Sequence, residues 1–213
     1  VIQALFKVWL IMPDVIFSKG GYGSVPAVIA GWFYRIPIIS HESDTVVGIA
    51  NRFNMGFSTR IAVSWPETLQ GLYKNRTTLT GNIVREKVSE QGREEAIKNL
   101  KLDGERKIIF VIGGSQGATA LNDAILDVLR ELLDVYEVIH QCGEKNLAGV
   151  AAEAKAVIAD GQEKYYHPLG FLEEKELFSA FVAADLVISR AGATSIAEIA
   201  AAVKPSILVP IPD

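Results

Sequence analysis

Short, continuous apolar runs alternate with helix-like stretches along almost the whole of the 213-residue chain. Examples are the runs IIFVI, LVIS and SILVP. Strands that helices cover on both faces have this composition, whereas one-sided strands alternate apolar and polar residues. The sequence therefore predicts an α/β fold built from parallel sheets with helices on both faces.

The same pattern predicts where the strands and helices lie. Strands are expected at residues 14–18, 37–40, 60–64, 77–80, 107–112, 137–141, 164–168, 186–189 and 206–209. The clearest helical patterns cover residues 24–34, 118–133 and 194–202. Residues 85–106 interrupt this rhythm with a strongly charged stretch, which is typical of a connection. We therefore predict two α/β domains, residues 1–85 and residues 86–213.

Composition limits the classes of function. The formal net charge of −4 argues against nucleic acid as the main partner. Residues 1–85 carry eight lysines and arginines against four acids, and the remainder carries 13 against 21. The basic part could favour an anionic membrane surface, or the difference could be a chance property of the surface. Cys142 is the only cysteine, so an intramolecular disulfide is impossible and a reducing compartment fits.

A first glycine-rich turn follows the strand predicted at residues 14–18. Its residues of interest are Gly20, Gly21, Tyr22 and Ser24. Glycines let backbone N–H groups approach a ligand, and Ser24 and Pro26 suit the start of a helix whose N-terminal end attracts phosphate. The turn could bind an anion or could simply connect a strand to a helix.

A second glycine-rich turn, GGSQGA, follows the strand predicted at residues 107–112 and contains Gly114, Ser115 and Gln116. Its spacing is neither the dinucleotide-binding fingerprint nor a P-loop. Contact with a phosphate or a sugar and a purely structural turn both fit this pattern.

A third junction, SRAGATSIAE, contains Gly192, Ala193, Thr194 and Glu198. Glu198 lies about one helical turn beyond Thr194. A carboxylate there could accept hydrogen bonds from both hydroxyls of a ribose, or it could only favour the helix dipole.

A polar cluster, His41, Glu42 and Asp44, follows the strand predicted at residues 37–40. It could perform acid–base chemistry or bind sugar hydroxyls, or Asp44 could cap a helix that begins at Val46. A single histidine without a nearby cysteine or second histidine argues against a metal site. We expect His140 and His167, which lie in strand-like runs, to be structural.

The order of these segments resembles a known enzyme family. The series is PDVIFSKGGYGSVP, IPIISHESD, LTGNIVRE, FVIGGSQGA, VIHQCGE, LGFLEEKELFSAFVAADLVISRAGATSIAEI and PSILVPIPD, which covers residues 13–213. It is similar to the MurG-type N-acetylglucosaminyltransferases. The resemblance implies the GT-B fold, in which two Rossmann-like domains face each other across a cleft. The second domain would bind most of the donor nucleotide, and the first would hold a lipid acceptor at the cytoplasmic face of the cell membrane.

The resemblance also implies roles for single residues. Glu198 matches the acid that holds the ribose hydroxyls, and Phe171 and Leu172 match the segment beside the uracil. The full set of implied donor-binding residues is Arg85, Gly114, Ser115, Gln116, Phe171, Leu172, Gly192, Ala193, Thr194 and Glu198. The implied acceptor-binding residues are Gly20, Gly21, Tyr22 and Ser24.

The implied reaction is an inverting transfer of N-acetylglucosamine from UDP-N-acetylglucosamine to the C4 hydroxyl of the muramyl sugar of lipid I, which gives lipid II for peptidoglycan. No cofactor or metal is implied. His41, Glu42 and Asp44 are candidates for the general base, and a segment outside the chain is another. Two alternatives stay open: another UDP-sugar enzyme of the same fold, such as an epimerase, or a non-catalytic fragment that binds the UDP-sugar.

The sequence departs from the family pattern in several places. HESD replaces the commoner HEQN, and Ile83 stands where proline is usual. The family's first glycine loop and a later His-Gln segment have no counterpart, so we expect an internal piece with an incomplete first domain. Phe6, Trp9 and Trp32 could form an apolar patch that rests in the bilayer interface, or they could pack within the first domain.

Overall fold

The computed structural model describes residues 1–84, 92–113 and 118–210. The chain divides into two compact units, Val1–Ile83 (unit 1) and Val84–Asp213 (unit 2), and each contains one sheet. The predicted site residues Arg85, Gly114, Ser115 and Gln116 lie outside the described residues.

Unit 1 contains a four-stranded parallel sheet whose strands follow chain order. The strands are β1 (Ile16–Ser18), β2 (Ile38–Glu42), β3 (Arg60–Val63) and β4 (Thr77–Leu79). The helices are α1 (Ile2–Ile11), α2 (Val25–Phe33) and α3 (Ile49–Phe57), with 3-10 turns at Tyr22–Ser24 and Pro66–Leu69. Because all four strands are parallel, the turns that follow them lie at one carboxyl edge.

Helix α2 lies close against the sheet of unit 1. A Cβ atom added to Gly31 would be only 2.4 Å from Ile16 Cδ1, so the glycine permits this close approach. Helix α3 instead buries a polar face, which includes Asn51 and Asn54. Polar groups are costly to bury unless they make hydrogen bonds, so this face must have specific partners.

Unit 2 contains a five-stranded parallel sheet in the order β7-β6-β5-β8-β9. Its strands are β5 (Lys107–Ile112), β6 (Tyr136–Gln141), β7 (Tyr166–Leu169), β8 (Leu186–Arg190) and β9 (Ser206–Val209). Its helices are α4 (Arg93–Asn99), α5 (Thr119–Asp127), α6 (Leu129–Val135), α7 (Leu147–Val157), α8 (Glu174–Ala183) and α9 (Ala193–Ala201). One apolar layer on each face of the sheet forms the core, as predicted for strands that are buried on both sides.

The strand order of unit 2 reverses between β5 and β8. The chain runs outward from β5 to β7 and then returns to place β8 on the other side of β5. Ile112 at the end of β5 pairs with Ser189 near the end of β8. Sheets of this kind bind ligands beyond the carboxyl ends of the strands at such a switch point.

Several predicted bounds differ from the structure; β2, for example, extends through His41 and Glu42, which were predicted to follow it. The helix expected at residues 118–133 is two helices, because the chain leaves helical geometry at Val128 (φ −114°, ψ 9°). Asp127 and Val128 both have low helix propensity, which favours the break there. The strand expected at residues 164–168 begins later, after a 3-10 turn at Glu163–Tyr165. It tolerates Pro168 because it is an edge strand.

Candidate functional site

The junction between β8 and α9 forms a tight strand-to-helix turn in unit 2. The Ala191 amide donates to the carbonyl of Val209 at 2.9 Å, and Gly192 is the N-cap of α9. No side chain among the described residues caps this helix, and the Thr194 and Ser195 amides have no acceptor within the described chain. Such first-turn N–H groups can bind an anion, and the helix dipole favours it.

Glu198 lies on the second turn of α9 and is only 6% exposed. An ionised carboxylate is rarely buried without polar contacts, because desolvation strongly penalises its charged form. The predicted acid therefore lies at a protected position close to the first-turn amides of the same helix. This arrangement suits a carboxylate that receives hydrogen bonds from paired hydroxyl groups.

The turn after β5 starts from a neighbouring point of the same edge. The amide of Gly113 donates to the carbonyl of Gln141 at 3.2 Å. A Cβ atom added to Gly113 would lie 3.0 Å from the amide nitrogen of Ala118, so a side chain at residue 113 would require a small shift of its neighbour. Because Ile112 and Ser189 pair, the turns after β5 and β8 leave from adjacent strands.

Phe171 and Leu172 follow β7 at this carboxyl edge. Leu172 is 3% exposed and packs in the core, whereas Phe171 is 53% exposed. Within the described chain, the backbone N–H and C=O groups of these two residues make no hydrogen bond. Glu173 and Glu176 form a capping box that fixes the start of α8, immediately after Phe171 and Leu172. A rigid segment with unused backbone groups can bind the edge of a base through hydrogen bonds.

A buried hydrogen-bond network that we did not predict supports α5. His140 Nδ1 lies 2.8 Å from the Tyr166 hydroxyl, and His140 Nε2 lies 3.1 Å from Asn122 Oδ1. The Asn122 amide also donates to the carbonyl of Cys142 at 3.0 Å. Burial lowers the pKa of His140 to about 4. The network joins α5, which follows the second glycine-rich turn, to β6 and β7. The only sequence signal for this network was a histidine inside an apolar strand. The structural role predicted for His140 fits the observed hydrogen bonds.

The first glycine-rich turn (residues 19–24, the glycine turn) lies at the carboxyl edge of unit 1. Gly20 and Gly21 have φ of +92° and +78°, a conformation that favours glycine. Ser24 occupies the N-cap position of α2 as predicted, but its side chain does not cap the helix. Its hydroxyl donates to the carbonyl of Gly21 at 2.8 Å and accepts from Asn54, because the 3-10 turn runs directly into the helix. Tyr22 is 75% exposed beside this turn.

Glu42 is buried, and its carboxylate organises the segment that follows β2 (residues 43–48, the 43–48 loop). Oε1 accepts from the amide of Asp44 at 3.1 Å, and Oε2 accepts from the amide of Gly48 and the side chain of Asn51, both at 3.0 Å. The prediction that Asp44 caps a helix from Val46 is wrong. The helix begins at Ile49 with Gly48 as its N-cap, because the Glu42 carboxylate binds the Gly48 amide. The Asp44 side chain is exposed.

His41 is 1% exposed, and its Nε2 atom lies 3.2 Å from the carbonyl of Gly81. A carbonyl only accepts, so Nε2 carries the proton and donates it. Nδ1 is then an acceptor, and this buried atom has no partner within the described chain. The Ser64 hydroxyl also lies 3.4 Å from Nε2. His41 is thus fixed beneath the surface and holds the segment that leaves β4.

The predicted membrane residues are exposed. Phe6, Trp9 and Trp32 are 62%, 56% and 57% exposed, and α1 has no buried residue. Phe6 and Trp9 contact each other with ring centroids 6.2 Å apart, and Trp32 contacts Phe57 at 5.5 Å. Among the residues that the structure describes, no helix has both the length and the apolar character needed to cross a bilayer.

Metal-ligand clusters and cavities can be compared with the predicted site residues. Within residues 1–84, 92–113 and 118–210, no group of three or more histidine, cysteine or acidic side chains could hold a metal ion. A cavity of about 200 Å³ lies beside Thr119, Asn122 and Asn146. It borders α5 and α7, and the predicted site residues do not line it.

Comparisons with known proteins agree with this fold. A crystal structure of Acinetobacter baumannii MurG is 26% identical with a TM-score of 0.64, over 99% of this chain and 56% of that one. A putative UDP-N-acetylglucosamine 2-epimerase from Listeria monocytogenes is 13% identical with a TM-score of 0.71, over 99% of this chain and 61% of that one. The epimerase supports the fold alone.

Sequence comparisons are more specific. Residues 1–63 match the glycosyltransferase family 28 N-terminal domain, and residues 108–213 match the glycosyltransferase family 28 C-terminal domain. A UDP-N-acetylglucosamine–N-acetylmuramyl-(pentapeptide) pyrophosphoryl-undecaprenol N-acetylglucosamine transferase of Bacillus thuringiensis (strain Al Hakam) is 36% identical over 99% of this chain and 57% of its own. The correspondingly named transferase of Clostridium perfringens (strain 13 / Type A) is 39% identical over 93% of this chain and 53% of its own.

Two α/β units with parallel sheets, together with the similarity to MurG, define the GT-B fold, as the resemblance implied. The chain belongs to glycosyltransferase family 28, and its similarity to the MurG-type N-acetylglucosaminyltransferases is confirmed. It spans little more than half the length of these relatives.

Proposed function

We propose that the chain binds UDP-N-acetylglucosamine through residues 86–213 and takes part in the transfer of N-acetylglucosamine to lipid I. The observation that carries this proposal is the pairing of Ile112 with Ser189 at the switch point of unit 2. The strands that precede the two turn-to-helix junctions are therefore neighbours, and Glu198 is buried on the helix that follows β8. The names of the family relatives supply the identity of the sugar and of the acceptor.

In this proposal the donor is held mainly by backbone groups. The amides at the start of α9, around Gly192, Ala193 and Thr194, bind the diphosphate, as do Gly114, Ser115 and Gln116 after β5. Glu198 accepts hydrogen bonds from the two ribose hydroxyls. The backbone at Phe171 and Leu172 binds the uracil edge, and Arg85 contacts the donor. The backbone groups of residues 171 and 172, which make no hydrogen bond within the described chain, support the proposal that this segment binds uracil.

The acceptor belongs to residues 1–85 in the same proposal. Gly20, Gly21, Tyr22 and Ser24 bind the diphosphate of the lipid-linked sugar. Phe6, Trp9 and Trp32 rest in the interface of the cytoplasmic membrane face, because exposed aromatic side chains favour that zone. The exposure of Phe6 and Trp9 on α1 and of Trp32 on α2 supports a peripheral location at the membrane.

The reaction is an inverting displacement. The C4 hydroxyl oxygen of the muramyl sugar attacks the anomeric carbon, the bond from that carbon to UDP breaks, and a base takes the hydroxyl proton. Most of the catalysis comes from positioning and from stabilising charge on the departing diphosphate at helix N-termini. Among the three candidate bases, Glu42 is committed to three donors and His41 is buried. The exposed Asp44 side chain, which has no hydrogen bond within the described chain, is the favoured candidate.

Epimerisation of a UDP-sugar is the alternative that the sequence left open. Incubation with radiolabelled UDP-N-acetylglucosamine and lipid I separates the two. The transferase proposal predicts label in the lipid fraction and no epimer of the donor. Label that stays in the nucleotide fraction as an epimer would contradict it.

A further inference from the structure

We propose that Asn51 is a positioning residue that holds the glycine turn and the 43–48 loop of unit 1 in one arrangement. This inference rests on the proposed function, in which the glycine turn binds the diphosphate of the acceptor. Asn51 would act through the backbone of that turn and through Glu42, without touching the substrate.

The Asn51 carboxamide is committed to β2 and to Glu42. Its Nδ2 atom donates to the carbonyl of His41 at 3.0 Å and to Glu42 Oε2 at 3.0 Å. Both neighbours only accept, so the orientation of the amide is fixed by its surroundings. Glu42 in turn binds the amides of Asp44 and Gly48, which are four residues apart in the 43–48 loop. The position of Asn51 therefore sets the position of the carboxylate that closes this loop.

The same carboxamide lies against the glycine turn. A Cβ atom added to Gly20 would be 2.8 Å from Asn51 Nδ2, 2.9 Å from Cγ and 3.0 Å from Oδ1. The amide plane thus occupies the space that a side chain at residue 20 would need. Gly20 also has φ of +92°, so the turn approaches Asn51 in a conformation that other residues rarely adopt. Asn51 therefore contacts the glycine turn directly and the 43–48 loop through Glu42.

The energetics of Asn51 suggest a role beyond folding. Asn51 is 4% exposed, and its Oδ1 atom is buried without a partner in the described chain. A buried acceptor without a hydrogen bond destabilises the fold. Asn51 therefore carries a cost at Oδ1, while its Nδ2 atom supplies the hydrogen bonds to the His41 carbonyl and to Glu42. Retained polar groups of this kind often preserve a geometry that function requires.

Two variants of Asn51 test the proposal. Asn51→Leu keeps the volume and removes the donors, and Asn51→Asp keeps the shape but places a second carboxylate beside Glu42. Ser58→Ala is the matched control, since Ser58 bonds Ser40 at 2.7 Å at the other end of α3 and contacts neither segment. The 213-residue chain serves for all measurements.

Amide hydrogen exchange by NMR measures the arrangement itself. Exchange at Asp44 and Gly48 should become at least about tenfold faster in both Asn51 variants and stay unchanged in Ser58→Ala. A titration with inorganic pyrophosphate can be followed through the amide resonances of Gly20 and Gly21. The affinity should be at least about fivefold weaker in the Asn51 variants only. Calorimetry should show unchanged affinity for UDP-N-acetylglucosamine.

The outcomes separate the two proposals. Unchanged exchange at Asp44 and Gly48 in both Asn51 variants would overturn the role of Asn51 alone. The role of Asn51 would also be overturned if amide protection and pyrophosphate affinity fell in proportion to the melting temperature in both the Asn51 and Ser58 variants. Such a result would indicate a general folding defect. If pyrophosphate does not shift the amide resonances of Gly20 and Gly21 in the parent chain, the proposed acceptor site is wrong. The role proposed for Asn51 in acceptor binding is then wrong as well.

Discussion

The Nδ1 atom of His140 lies 2.8 Å from the hydroxyl oxygen of Tyr166, and both side chains are buried in unit 2. His140 Nε2 faces Asn122 Oδ1, which only accepts, so Nε2 carries the proton and Nδ1 accepts from the tyrosine. Burial lowers the pKa of His140 to about 4 and raises the pKa of Tyr166. The folded protein therefore keeps a neutral imidazole beneath α5.

This imidazole makes stability depend on pH. The unfolded chain takes up a proton at His140 below its ordinary pKa of 6.5, whereas the folded chain does not until about pH 4. The unfolded state thus binds more protons between these values, and the contribution to the free energy of unfolding should fall by about 2 kcal/mol from pH 7.5 to pH 5. Urea unfolding at both pH values measures it. His140→Gln should lose this part of the pH dependence. If the free energy of unfolding of His140→Gln falls as much between the two pH values as that of the parent chain, His140 is not the group responsible.

Glu137 is a second buried titratable group, at the amino end of β6. It accepts from the amides of Asp103 and Gly104 and from His167 Nε2. Burial alone would raise the pKa of Glu137, but hydrogen bonds from His167, Gly104 and Asp103 outweigh it and lower the pKa below 4.5. Its contribution is present above about pH 4.5 and disappears as the pH falls below that value.

Replacement of this carboxylate should be costly. Glu137→Gln leaves an amide N–H₂ group facing donors in a buried site, and we expect a loss of about 3 kcal/mol in the free energy of unfolding at pH 7. Glu153→Gln, an exposed acid of the same unit, should change it by less than about 0.5 kcal/mol. Equal effects of the two substitutions would mean that the Glu137 hydrogen bonds contribute little.

Val203 offers a stabilising change. It has φ of +53° after α9 and is 86% exposed, so a β-branched side chain occupies the left-handed region without any packing gain. Val203→Gly should stabilise the chain by about 1 kcal/mol and raise the melting temperature by about 2–4 °C. Thermal unfolding followed by circular dichroism checks this. A lower melting temperature would show that the strain at this position is relieved in another way.

The exposed face of α1 leads to a membrane prediction. The double variant Phe6→Ser, Trp9→Ser should bind vesicles that contain anionic lipid at least about tenfold more weakly than the parent chain. Val203→Ser removes an apolar side chain of unit 2 that is even more exposed than Phe6 and Trp9, and it should leave binding unchanged. Sedimentation with the vesicles measures both. Equal binding by all three proteins would exclude α1 as the membrane contact.

The sequence predicted most of the strands because their signal is local. Strands β5 and β9 match their predicted bounds, since each is a continuous apolar run. The roles of His41 and Glu42 were not predictable in the same way. His41 bonds Gly81, 40 residues away in the chain, and Glu42 bonds Asn51, which carried no motif. The motif indicated a polar site, but only tertiary contacts show that both side chains serve to hold backbone segments.

The helix starts were the least predictable feature of the site. Ser24 and Asp44 are good capping residues by type, yet neither side chain makes a capping hydrogen bond. Other polar side chains decide the local geometry instead: Asn54, 30 residues beyond Ser24, and Glu42, six residues before Gly48. The network around His140 was missed for a related reason, because Asn122 and Tyr166 lie 18 and 26 residues away from it.

The most direct test of the central claim concerns Glu198 and the ribose hydroxyls of the donor. Calorimetry should compare UDP with 2′-deoxy-UDP on the parent chain, on Glu198→Ala and on the control Glu153→Gln. The account predicts that the parent and the control bind UDP at least about fivefold more tightly than the deoxy compound, whereas Glu198→Ala binds both equally weakly. An unchanged preference for UDP in Glu198→Ala, or unchanged affinity for UDP itself, would contradict the proposed donor site.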